Sequence, residues 1–252
     1  MEIIGYLLMH QTSLTKNDIK EYSITWGGLA LIEFLVSERN SIGTKFKTCL
    51  DIGSGEGVHT AILRHAGLEV FQVDKYSTTS EYKVDFIEHK FDRKFDVVFC
   101  SHVIEHQRNV GLFLDKIFDI LSDDGVLIIS APKEDHNLIE GHLNSFIFPL
   151  FLQQMIHAGF DCKDGKFLST IENSFIVSKA DNFDMSERLE NGYQWTEKHQ
   201  NRSPIELKTS SVDMLFHNCQ HIQPNLTLKL PKNYWSYGMI INMERWNLKF
   251  NT

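Results

Sequence analysis

Between Phe46 and Gly159 the chain alternates between short apolar runs and stretches with apolar residues at helical spacing. The runs are "KTCLDI", "LEVFQVD", "YKVDF", "FDVVFCS" and "VLIISAP". Between them, "VHTAILRHAG" puts Val58, Ala61, Ile62 and His65 on one face, and "VGLFLDKIFDIL" repeats the pattern at Val110, Leu114, Ile117 and Leu121. "FPLFLQQMIHAGF" closes the series at Gly159, a residue suited to a helix end. Strands that alternate with helices of this length predict a parallel sheet with right-handed crossovers. Runs as continuously apolar as "DVVFC" and "VLIIS" suit a sheet covered on both faces. The expected fold class is therefore α/β and Rossmann-like.

"FDCKDGKFLST" reads as a sixth strand, and a seventh, antiparallel strand closes the sheet. Two placements are open for it: "YGMIINMERW", which makes the residues from about Ser174 to Trp235 an insertion, or "SFIVSKA", which makes the rest an appendage. The expected organisation is an N-terminal segment over 1–44, a core over 45–173, and an acceptor-side insertion with the final strand over 174–252. The N-terminal segment is expected to be helical over part of Asn17–Glu38, with Ile24, Leu31, Ile32 and Leu35 as its apolar stripe. Tyr193, Trp195, Phe216, Tyr234 and Trp235 in the insertion could cover an acceptor, or simply pack locally.

In such a fold, ligands bind beyond the carboxyl ends of the strands. The chemistry-bearing residues fall there: Gly53 to Gly57, Asp74, Asp85, Ser101 to His106, and Pro132 to His142. The stretch "CLDIGSGEGVHT" places three glycines right after the first strand of the core. Bare main chain there lets a ligand approach closely, and the following helix start offers free N–H groups. The spacing is G-S-G-E-G rather than G-x-G-x-x-G, and Glu56 would repel a pyrophosphate. The loop therefore suits a nucleoside with a cationic part better than a dinucleotide. Asp74, 17 residues beyond Gly57, can accept from ribose hydroxyls, and Asp85 from an adenine amine. A purely structural tight turn is the plainer reading of the glycines alone.

The consecutive segments "LDIGSGEGVHT", "VFQVDKY", "KFDVVFCSHVIEH" and "LSDDGVLIISAP" resemble the motifs of class I S-adenosylmethionine-dependent methyltransferases over about residues 47 to 160. "SHVIEH" and "GHLNSF" are similar to the branch that includes ubiquinone-biosynthesis O-methyltransferases and enzymes acting on sugars and other small molecules. The resemblance implies that Asp51, Gly53, Ser54, Gly55 and Gly57 wrap the methionine part of S-adenosyl-L-methionine. It implies that Asp74 holds the ribose with Lys75 beside it, and that Asp85 and Phe86 line the adenine pocket. Ser101 and His102 would lie near the methionine amine.

The chain has 12 histidines, and His102, His106, His136 and His142 gather where an acceptor should sit. A hydroxyl acceptor needs a base, and His is suited to neutral pH. His106, His136 and His142 are the catalytic candidates. As an alternative, His102, Glu105, His106 and His142 resemble the divalent-metal site of the small-RNA 3′-end 2′-O-methyltransferases, whose pattern has Glu where this chain has His102. The plainest reading makes Glu105 and His106 hydrogen-bonding residues of the turn.

The net charge of −8 lies before Asp181, beyond which eight acids balance eight bases, and neither part carries the basic stripe of a nucleic-acid binder. Cys49, Cys100, Cys162 and Cys219 form no CxxC pair, which suits a reducing compartment. "MEIIGYLLMH" lacks a basic lead, and no run reaches the roughly 20 apolar residues of a membrane span. The expectation is a cytoplasmic methyltransferase acting on a hydroxyl of a small molecule or glycan, with a sugar or polysaccharide foremost. The rivals are N- or C-methylation, an NAD-dependent oxidoreductase, and a catalytically silent binding module.

Overall fold

The computed structural model describes residues 22–24, 26–133, 139–169, 172–181, 183 and 239–241. Strands β1 (Tyr22–Ile24), β2 (Thr48–Ile52), β3 (Glu69–Val73), β4 (Phe95–Ser101), β5 (Leu121–Pro132), β6 (Phe160–Ser169), β7 (Glu172–Lys179) and β8 (Met239–Ile241) alternate with four helices. The helices are α1 (Gly28–Ser37), α2 (Val58–His65), α3 (Val110–Ile120) and α4 (Phe148–His157), and a single 3₁₀ turn covers Ile104–His106.

Six strands form the main sheet in the order β3-β2-β4-β5-β7-β6. β2 pairs in parallel with β3 and β4, and β4 with β5, while β7 runs antiparallel to both of its neighbours. The chain leaves β2 for β3 and returns past it to β4, so the topological switch point lies between the tips of β2 and β4.

Both sheet faces are covered, as the apolar strands require. α3 and α4 pack on one face in a cluster with Leu50, Val98, Leu127 and Phe175. α1 and α2 pack on the other with Cys49, Val97, Phe99 and Ile128. Two predicted faces differ from those observed. α2 buries Thr60, Ile62 and Leu63, while Ala61 is exposed. α1 begins only at Gly28, and Tyr22–Ile24 is extended, pairing with Met239–Ile241 in a separate two-stranded sheet.

The main sheet has six described strands where seven were expected. "YKVDF" contributes one bridge, Tyr82 with Val73, in place of a strand. Tyr82 exchanges hydrogen bonds with Gln72 and Asp74, but Asp85 then folds the chain into a turn, its carboxylate accepting the N–H of Ile87. The closing strand is Glu172–Lys179, the second of the two placements left open by the sequence. The aromatic residues proposed to cover an acceptor, and Cys219, lie outside the described residues. Among the described residues, no helix is long and apolar enough to cross a membrane.

Candidate active site

At the tip of β2 the chain turns through Gly53, Gly55 and Gly57, all with positive φ (69°, 52° and 79°). Gly53 shows why a side chain is excluded: a Cβ there would lie 2.2 Å from Cγ2 of Val103. A Cβ on Gly55 would instead meet nothing within 4 Å, so its main chain borders open space. Asp74, at the tip of β3, ties this loop down. Its Oδ2 accepts the N–H of Gly55 at 2.9 Å, and its Oδ1 accepts those of Tyr76 and Ser77 at 2.7 and 2.9 Å. Ser54 reaches Ser80 through a 3.4 Å hydroxyl contact.

Asp51 lies inside β2 rather than in the loop and is buried, accepting a 2.5 Å hydrogen bond from Thr60. Burial lifts its carboxyl to about 7; the Thr60 hydroxyl opposes that rise and the charge of Asp74 adds to it. Across the cleft, Asp85 pairs with Lys75 at 3.1 Å, and Phe86 is buried below.

The cleft between these residues and the tip of β4 measures about 840 Å³, within the range of small-molecule sites. Gly53, Asp74, Lys75, Asp85 and Phe86 line one half. His102, Val103, His106, Gly141 and Leu143 line the other. Glu88 adds a further acid to the wall, and Lys75 and Arg108 are its lysine and arginine cations.

The second half is built around Glu105, which is fully buried in the 3₁₀ turn. Its backbone carbonyl accepts the N–H groups of Leu143 and Asn144, hanging the 139–144 segment on the turn. Among the described residues neither carboxylate oxygen of Glu105 has a hydrogen-bond partner. Three imidazoles surround or adjoin it. His102 Nδ1 stands 3.3 Å and His106 Nε2 3.8 Å from Oε1, neither in hydrogen-bond geometry. His142 packs edge-on against His106 with ring centres 5.0 Å apart. His106 Nδ1 lies 2.8 Å from the Gly141 carbonyl, an acceptor that fixes the proton on Nδ1 and leaves Nε2 with its lone pair.

His102 has a different environment. It takes the left-handed φ of 53°, and its Nε2 lies 2.8 Å from Oε2 of Glu172. Burial lowers its basicity, but the carboxylates of Glu105 and Glu172 raise it by more, to about 9, so the ring is an imidazolium at neutral pH. Donor atoms of Glu105, His106 and His142 all lie within 4.8 Å of one another, a grouping that leaves out His102. His136 lies outside the described residues.

Three residues were missed by sequence reasoning. Glu172, 1% exposed, begins β7, and because β7 is antiparallel its start sits at the carboxyl ends of the parallel strands, opposite Pro132. Trp26 and Gly27 reach the same place from the N-terminal side. The signal was present: an acid just before an apolar run marks the tip of a strand once that strand is known to run antiparallel.

Fold and cleft together define an α/β protein with a small-molecule-sized cleft at the switch point, bordered by the glycine loop and by Asp74, Asp85 and Glu88. Residues 30–158, more than half of the chain, match the family described as a methyltransferase domain. The chain belongs to that family, as the class I motifs in its sequence led one to expect.

The ubiquinone biosynthesis O-methyltransferase of Rickettsia bellii (strain OSU 85-389) is 30% identical over 116 residues, covering 40% of this chain and 48% of that protein. That of Rickettsia felis is 32% identical over 116 residues, covering 40% and 47%. The chain thus spans about half the length of the curated relatives it matches. Among solved structures, the 1,6-didemethyltoxoflavin-N1-methyltransferase of Burkholderia thailandensis aligns with a TM-score of 0.49 at 18% identity, covering 61% of this chain and 89% of that one. The sugar N-methyltransferase KedS8 from Streptoalloteichus sp ATCC 53650 aligns at 0.46 and 15%, covering 60% and 87%.

Proposed function

We propose that this protein transfers the methyl group of S-adenosyl-L-methionine to a hydroxyl of a small organic molecule, with His106 as the base. The observation that carries the reading is the Gly141 carbonyl on Nδ1 of His106, which leaves Nε2 of a ring that lines the cleft free to take a proton. The residues present fit the cofactor: glycine main chain borders open space at Gly55, and Asp74, Asp85 and Phe86 line the cleft where ribose and adenine would lie. The bound cofactor supplies an already activated methyl group. The chain's own task is to hold the acceptor oxygen in line, exclude water and take the hydroxyl proton at His106 Nε2.

Exposed Tyr76, Leu112 and Leu143, with Ile87, edge the cleft, which favours an apolar or aromatic ring carrying the hydroxyl over a sugar. The names of the curated relatives, O-methyltransferases of ubiquinone biosynthesis, lean the same way. The test is transfer of radiolabelled methyl to catechols and to free sugars, beside calorimetric titration with S-adenosylhomocysteine and NAD. The expected outcome is binding of S-adenosylhomocysteine alone, with label on the catechol. His106→Ala is expected to cut transfer by about 10²–10⁴-fold while S-adenosylhomocysteine binding holds. Binding of NAD instead, or unchanged transfer in the variant, would overturn the reading.

One observation favours a variant of this mechanism. A fully buried carboxylate without a hydrogen-bond donor, with His106 and His142 within reach, is the donor set of a divalent cation. Such an ion would acidify the bound hydroxyl. Metal analysis before and after exhaustive chelation tests it. Activity that survives chelation leaves His106 as the base without an ion.

A further inference from the structure

At His102, in the wall of the cleft, a chain of contacts joins distant parts of the sequence. Glu172 accepts the N–H of Gly27 with both carboxylate oxygens, at 3.0 and 2.9 Å, across 145 residues of chain. Oε2 also holds Nε2 of His102 at 2.8 Å. The indole of Trp26 lies against the His102 ring, with centres 5.3 Å apart and planes 31° apart. The Ser101 hydroxyl donates to the Trp26 carbonyl. Gly27 has no room for a side chain, since a Cβ would lie 2.4 Å from Oγ of Ser101.

These contacts engage Glu172 fully. It is 1% exposed, so no ligand reaches it, yet His102, which it holds, lines the cavity, and Trp26, whose ring lies against His102, is 41% exposed. A buried carboxylate is costly unless fully paired, and here the partners are one main-chain N–H and one imidazole rather than a purely structural lysine or arginine. The other charged or titratable groups around His102 are Glu105 at 3.3 Å and His59, whose electrostatic coupling to His102 lowers its own basicity further after burial has done so.

We propose that Glu172 is a positioning residue, which from β7 fixes Gly27 and, through His102, the indole of Trp26, as the wall against which the amino-acid end of the adenosyl cofactor lies. The inference rests on the adenosyl reading above and assigns its far end. The nucleoside half needs none of these residues, since its wall is made by Asp74, Asp85 and Phe86. Removing the clamp therefore weakens ligands that carry the amino-acid end and spares those that lack it.

The experiment is calorimetric titration of wild type and Glu172→Gln with S-adenosylhomocysteine and with 5′-methylthioadenosine, which lacks the amino-acid end. The expected result is an affinity about tenfold lower for S-adenosylhomocysteine in the variant, the equivalent of one charge-assisted contact. The affinity for 5′-methylthioadenosine is expected to hold within about twofold, the resolution of such a comparison. Trp26→Ala, a change at a half-exposed ring, is expected to show the same selective loss and serves if Glu172→Gln does not fold. Equal loss for both ligands, or loss for neither, overturns the positioning role and leaves the adenosyl reading intact. Failure of the wild type to bind either ligand overturns both.

Discussion

At the tip of β3 a carboxylate is hydrogen-bonded by nearby main chain; at the tips of β4 and β7 carboxylates face imidazoles. Asp74 takes three N–H groups, two of them from its own turn and one from Gly55. Glu172 takes an N–H from 145 residues away and an imidazole from 70 away, and among the described residues the carboxylate of Glu105 takes no hydrogen bond. The first arrangement is rigid and local, as a nucleoside cradle should be. The second sets two buried carboxylates against one imidazolium at the wall of the cleft. The two halves are therefore expected to respond to different perturbations.

The largest effect is expected in the rigid half. Gly53→Ala forces a left-handed conformation on alanine and drives Cβ into Val103. Strain and overpacking together should cost about 3 kcal/mol of folding stability, read by urea unfolding. Adding Val103→Ala relieves the contact but not the dihedral, so the double variant should recover part of the loss. No loss in Gly53→Ala would mean that the loop is far softer than its hydrogen bonds imply.

The second perturbation addresses the charged half. His102 is raised from 6.5 to about 9, so its contacts contribute stability that is fully present below pH 6.5 and is lost as pH rises through 9. The amount at stake is on the order of 3 kcal/mol. Unfolding midpoints measured between pH 6 and 10 should fall in the wild type, and this fall should be absent in His102→Gln. A decline of equal size in the variant would assign it to another group.

These two halves were not equally legible in the sequence. The glycine loop and Asp74 lie within one run of strand, turn and helix, where spacing alone places them at strand tips. The third strand failed because Asp85 caps its own turn, a local competition that an apolar pattern such as "YKVDF" does not reveal. β7 was one of two choices, since a strand that pairs with both of its sheet neighbours in the antiparallel sense can be supplied by any late apolar run. Glu172 went unread for the same reason: its meaning depends on strand direction, and direction on pairing. His106 was singled out from its place after β4, but its tautomer required the Gly141 carbonyl, which arrives from the loop beyond β5.

Asp51 offers a smaller, opposite test within the rigid half. Its carboxyl is raised from 3.8 to about 7. The folded state thus holds a proton that the unfolded chain has released, and stability declines as pH rises from about 4 to 7. Asp51→Asn removes that decline. An asparagine can still accept the Thr60 hydroxyl, so the variant should be more stable than wild type by about 1–2 kcal/mol at pH 8, with no advantage below pH 4. Thermal unfolding at the two pH values reads the difference. A variant less stable at both would show that the short Thr60 bond outweighs the cost of burying the charge.

The smallest effect should come from Lys75. Its ammonium is exposed and pairs with Asp85 at 3.1 Å, the carboxylate proposed to accept from an adenine amine. The pair is wet, and exposed ion pairs contribute about 0–1 kcal/mol, so Lys75→Ala should leave the unfolding midpoint almost unchanged. Its consequence for the ligand has a sign, however. An adenine amine must compete with the ammonium for Oδ2 of Asp85, while Oδ1 is held by the N–H of Ile87. Removing the ammonium frees the acceptor, and affinity for S-adenosylhomocysteine should rise, by no more than about threefold given the worth of such a pair. A tenfold fall would mean that Lys75 itself grips the ligand. The cradle would then depend on a mobile surface cation, and the contrast between a rigid nucleoside half and a charged acceptor half would no longer hold.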